Sequence, residues 1–116
     1  RKVSGQKGEE KEAMKIPVIE NIHQKVLEAI TTGGGTLEMG SVHVCETTHC
    51  RAGWAVALAG KEGFDLEKQT DWGFAAMQIY KASSPIRVSP TRFFESNEVA
   101  MKDIIRCAEE EKNLNS

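Results

Sequence analysis

Residues 50–59, Cys-Arg-Ala-Gly-Trp-Ala-Val-Ala-Leu-Ala, contain a single polar side chain, Arg51. A helix that is apolar around nearly its whole circumference has no face to turn to water, so other elements must enclose it. Its small residues let neighbouring backbones come close, and Trp54 supplies bulk. We expect this helix near 48–59, capped by the hydroxyl of Thr47 or Thr48 and stopped at Gly60. A chain of 116 residues is long enough for one core and too short for two. The first constraint is therefore architectural: one central rod wrapped by the rest of the chain.

The elements around it follow from periodicity. Ile19, Ile22, Val26 and Ile30 recur at helical spacing after Pro17, which predicts a helix over about 17–31 ended by Thr31-Thr32-Gly33-Gly34-Gly35. In TLEMGSVHVC, residues 36–45, the period changes to two. Gly40-Ser41 suits a type II′ turn, giving a hairpin in which Leu37 faces Val44, Met39 faces Val42, and Glu38 faces His43 on the other side. Residues 61–69 carry Phe64 and Leu66 and predict one or two helical turns. Asp71 caps a helix with Trp72, Ala75, Ala76, Ile79 and Tyr80 on one stripe, broken at Ser83-Ser84-Pro85. After a loop anchored by Ile86, Val88, Phe93 and Phe94, Ser96 or Asn97 caps a last helix whose inner face holds Ala100, Ile104, Cys107 and Ala108. Glu109-Glu110-Glu111 stand at the negative end of that helix's dipole, which predicts fraying. The fold class is thus mainly α, a compact bundle of four to five helices around the apolar one, with one short β-hairpin.

Residues 1–15 contrast with this domain of 16–116. They hold five basic and three acidic residues and only Val3, Ala13 and Met14 as apolar members, which predicts a flexible tail. Over the whole chain 15 Lys and Arg stand against 17 Asp and Glu, with none of the basic excess that phosphate neutralisation asks of a nucleic-acid binder. No apolar run reaches the roughly 18 residues of a membrane span, and we expect no export signal. An odd count of three cysteines fits reduced thiols in a cytoplasm.

Polar chemistry concentrates between His43 and Arg51, where two of the three histidines and two of the three cysteines lie. A thiol nucleophile is one reading. Cys50 would open the central helix, where free amides and the dipole lower a thiol's pKa; His43 or His49 would be the base, with Glu38 orienting His43. Cys45, Arg51 and Trp54 would line a binding surface. A cysteine opening a tryptophan-bearing helix resembles papain-type enzymes, but their C-G-[SA]-C-[WY] signature is absent and no histidine follows Cys50. Zinc is a second reading, with His43, Cys45, His49 and Cys50 as donors; the spacing is poor because adjacent residues such as His49 and Cys50 diverge on a helix. The third reading is structural: buried thiols packing as small hydrophobes, Cys107 in the core, His49 satisfying the helix start and Arg51 at the surface or in a salt bridge. This last carries most weight, and no cofactor is expected. His23 reads as a boundary residue, the Trp54, Trp72 and Tyr80 rings as core, and Gly33-Gly34-Gly35, without the Lys-Ser/Thr of a phosphate loop, as a linker.

Thr47-Thr48-His49-Cys50-Arg51-Ala52-Gly53-Trp54 resembles a family of small domains associated with bacterial phages and prophages. The resemblance runs on through residues 17–26, Met39-Gly40-Ser41, residues 57–60, Ile79-Tyr80-Lys81-Ala82-Ser83 and Asn97-Glu98. Similar sequences tend to carry tryptophan where this chain has Val42, which implies a more open site here. The resemblance implies a bacterial cytoplasm and no established reaction. Together these readings predict a non-enzymatic module that binds a bacterial or phage protein, with the cysteine-dependent enzyme and the zinc domain as alternatives.

Overall fold

The computed structural model describes residues 15–114. Its helices are α1 (Ile22–Thr31), α2 (Arg51–Leu58), α3 (Gly60–Gln69), α4 (Trp72–Ser83) and α5 (Asn97–Leu114), with a 3-10 turn at Pro90–Phe94. Three short strands, β1 (Thr36–Leu37), β2 (His43–Cys45) and β3 (Thr48–His49), make one small sheet. The fold is mainly α, as the periodicity predicts. The tail expected over 1–15 lies outside the described residues except for Lys15.

The central rod is present. Arg51 to Val56 are all buried, and α2 packs against α1, α3, α4 and β3. Its start differs from expectation. Thr48-His49 is a strand, not a cap, and the N-cap is Cys50, whose sulfur accepts from the Gly53 amide at 3.3 Å. Gly53 and Gly63 are where neighbouring backbones come closest to the rod, against the carbonyls of Val42 and Val56 respectively.

The expected 36–45 hairpin does not form. The sheet order is β1-β3-β2: β1 runs parallel to β3, and the antiparallel pair is β2 with β3, closed through Glu46-Thr47. A type II′ turn needs positive φ at its first central residue, and Gly40 is not among the positive-φ glycines, which are Gly34 and Gly60. Residues 38–42 instead make a loop pinned to α5 by the Met39 amide, which donates to Asn97 Oδ1 at 2.7 Å. Val44, expected opposite Leu37, is more than half exposed.

Helix α1 starts at Ile22, not Pro17. Residues 16–19 are non-helical, the Ile19 amide donates to Ser83 Oγ at 2.9 Å, and Asn21 adopts the left-handed region before the helix begins. The first-turn amides of His23 and Gln24 donate to the carboxylate of Glu111. That contact also corrects the fraying expected at the end of α5. Glu111 is buried and sits where α1's positive end needs an anion, so α5 stays helical to Leu114. The glycine run does more than link: a Cβ on Gly35 would meet the Trp54 ring at 2.6 Å. Asp71 caps α4 through the Phe74 amide and Ser96 Oγ accepts from Val99, as the sequence predicts.

Candidate functional site

The His43–Arg51 segment divides into two environments, one on each side of the start of α2. On the sheet side, β2 and β3 set the two imidazoles face to edge, with His43 Nδ1 2.7 Å from His49 Nδ1. Each ring is fixed by its other nitrogen. His43 Nε2 lies 2.8 Å from Glu67 Oε1 on α3, and His49 Nε2 lies 2.9 Å from the Glu46 carbonyl oxygen. Phe64 packs on His43 at 5.2 Å between centroids, and Trp54 packs on His49 at 4.7 Å. His49 is buried, whereas the His43 and Glu67 side chains are each 24% exposed, so the pair opens to solvent on one side.

The partner of His43 is therefore Glu67 and not Glu38, whose carboxylate accepts from the Gly40 amide at 3.1 Å. The facing of Glu38 and His43 depended on a hairpin that does not form. Glu67 was missed because it lies 24 residues away on another element, and no local pattern couples the two.

Cys50 is buried and its sulfur points at the Gly53 amide. The helix start was expected to lower its pKa. Instead burial pushes the thiol up, outweighing the nearby amides of Gly53 and Ala52. Cys45 is the exposed thiol; hydrogen bonds from Thr47 and then Thr48 hold it below the ordinary value. All three cysteines are free. Among the described residues no group of three or more His, Cys, Asp or Glu side chains is arranged to hold a metal ion, so His43, Cys45, His49 and Cys50 are not gathered into one cluster.

On the far side of Cys50 the environment is core. Arg51, fully buried, donates from Nη1 to Asp103 Oδ2 at 2.6 Å and from Nη2 to Cys107 Sγ at 3.4 Å. Of the two places expected for it, the salt bridge is the one found. Asp103 also accepts from Arg106. Burial alone would raise this carboxyl, but Arg51 and Arg106 outweigh burial and hold it below its ordinary value. Tyr80 donates to the Arg51 carbonyl at 3.1 Å, and burial pushes its hydroxyl up to about 12. His23 stacks on Tyr80 and is buried, not a boundary residue; burial lowers its pKa more than the Ile86 carbonyl raises it. Trp54 is core, its indole N–H donating to the Thr36 carbonyl. Arg51 and Trp54 thus stand inside the molecule, and neither lines a surface.

The most exposed aromatic among the described residues lies elsewhere. Phe94, in the 3-10 turn, is 77% exposed with its ring 5.8 Å from that of the half-buried Trp72 at the start of α4. Phe94 was expected to anchor its loop in the core; its neighbour Phe93 does that instead. The chain matches no protein-family model, no curated protein and no solved structure. Among the described residues no helix is long and apolar enough to cross a membrane.

Proposed function

We propose that the chain is a non-enzymatic protein-binding module acting in a bacterial cytoplasm, of the phage- or prophage-borne kind that its Thr47–Trp54 segment resembles. The observation that carries this reading is Phe94, a large aromatic side chain left 77% exposed on a supporting ring. Aromatic anchors seated in a partner's pocket dominate the energetics of protein interfaces. Phe94 stands on a 3-10 turn whose Phe93 is buried in the core, and its ring rests against Trp72, so the side chain is already placed when a partner closes over it. The partner is a host or phage protein with an apolar recess that accepts an aromatic knob. Against thiol catalysis stands the burial of Cys50 together with its role as a helix cap.

A photo-cross-linking residue placed at position 94 tests this in lysate from phage-infected bacteria, with exposed Glu62 on α3 as the control position. The reading expects one protein joined at 94 and not at 62. That protein, once purified, binds the wild-type chain and loses at least tenfold in affinity for Phe94→Ala, about 1.4 kcal/mol or more. Equal binding by the variant, with its fold intact, would refute the reading.

A further inference from the structure

Helix α4 stops at Ser83 because Pro85 cannot continue it and pushes Ser84 into extended backbone, φ −153° and ψ 145°. Residues 84–88 then lie beside the last turns of α4, and the two bound a cavity of about 230 Å3. Its loop wall is held in place from two sides. The Ile86 amide donates to Ser84 Oγ at 3.2 Å, and His23 Nε2 on α1 donates to the Ile86 carbonyl at 3.1 Å. Buried Tyr80 and Val88 and half-buried Met77 and Ile86 make the interior apolar. The Tyr80 hydroxyl is spent on the Arg51 carbonyl, which leaves only ring carbon to a ligand. Exposed Lys81 and Arg87 complete the lining, and none of the lining residues is acidic.

We propose that this cavity binds a small monocarboxylate with an apolar body, a ligand of the medium-chain fatty acid kind. The side chains of Lys81 and Arg87 have no ion-pair partner among the described residues. Lys81 offsets the negative end of α4, but Arg87 stands outside any helix and its charge has no such structural use. Two unpaired cations beside an apolar interior select an anion whose remainder is apolar, and the planar fork of arginine matches a carboxylate in two parallel hydrogen bonds. A third donor lies deeper. Ser84 is 9% exposed, and its hydroxyl accepts from the Ile86 amide while keeping its own hydrogen to give. The size of the cavity limits the rest: its volume is about eight times the liquid share of one water, room for an acid of roughly ten non-hydrogen atoms. The site shares no lining residue with the Phe94 face and stands or falls separately from it.

Octanoate titrated into the whole chain at neutral pH and low salt, followed by NMR, tests the proposal, with octylammonium as the ligand of equal length and opposite charge. The expected result is one saturable site with a Kd of about 1 mM. Its shifts centre on Met77, Tyr80, Ile86 and Val88, and octylammonium does not saturate the same signals. Lys81→Gln combined with Arg87→Gln should weaken octanoate binding about tenfold. Both side chains are exposed, so their replacement spares the core, and the comparison of the two ligands needs no variant. Failure of octanoate to saturate, shifts centred away from the cavity, equal binding of octylammonium, or unchanged affinity in the double variant would each overturn it.

Discussion

A Cβ at Gly53 would lie 2.0 Å from the Val42 carbonyl oxygen and 3.0 Å from the His49 Cβ, so no side chain fits where the loop crosses the start of α2. Because the obstacle is backbone, Gly53→Ala must displace either the loop or the helix. We expect a loss of about 1–3 kcal/mol, read as a lowered denaturant midpoint at unchanged slope. Asp103→Ala is the more severe change, for it leaves the Arg51 guanidinium buried without its carboxylate and with Nε already lacking a partner. Removing one member of such a pair costs about 3–5 kcal/mol, whereas Arg51→Met combined with Asp103→Leu should recover most of it, by the same denaturation measurement. Residue identities within the His43–Arg51 segment were legible as a polar cluster, and so was the burial of Cys107. Their partners were not. Glu67 and Asp103 meet His43 and Arg51 only through tertiary packing, across 24 and 52 positions of chain.

Helices carry a strong periodic signal in this sequence, which is why all five could be read and why their stops at Gly60, Ser84 and the glycine run fall where expected. Strands of two or three residues carry almost none. The alternation in 36–45 is real, but it was assigned to one hairpin when the loop at 38–42 separates two strands that never pair with each other. Glu109-Glu110-Glu111 shows a related limit. Judged on its own helix the triplet is unfavourable, and only the docked α1 reveals Glu111 as a cap supplied by another element. Glu111→Ala should cost about 1 kcal/mol and speed hydrogen exchange at the His23 and Gln24 amides, with little change in the amides of α4.

Taken as a whole, the molecule encloses several titratable groups, of which His23 and Asp103 govern its response to acid. His23 is held neutral by burial, below its ordinary value of 6.5, and Asp103 is held ionised, below 3.8. In both cases the unfolded chain binds the proton more readily. The contribution of these two groups to stability is therefore complete above pH 6.5. It falls as the pH drops below 6.5 through the folded value of His23, and again below 3.8 through that of Asp103. Denaturation midpoints should decline monotonically into acid, and Asp103→Asn should flatten the lower limb; a stability maximum at acidic pH would contradict this assignment.

The non-enzymatic reading depends most on the Cys50 thiol being a structural cap. Alkylation of the native chain, mapped by mass spectrometry, probes that directly. The account predicts rapid modification at Cys45 alone, with Cys50 and Cys107 protected until the chain unfolds. Native-state labelling of Cys50 at a rate equal to or above that of Cys45 would contradict it and return a nucleophilic thiol to the head of α2.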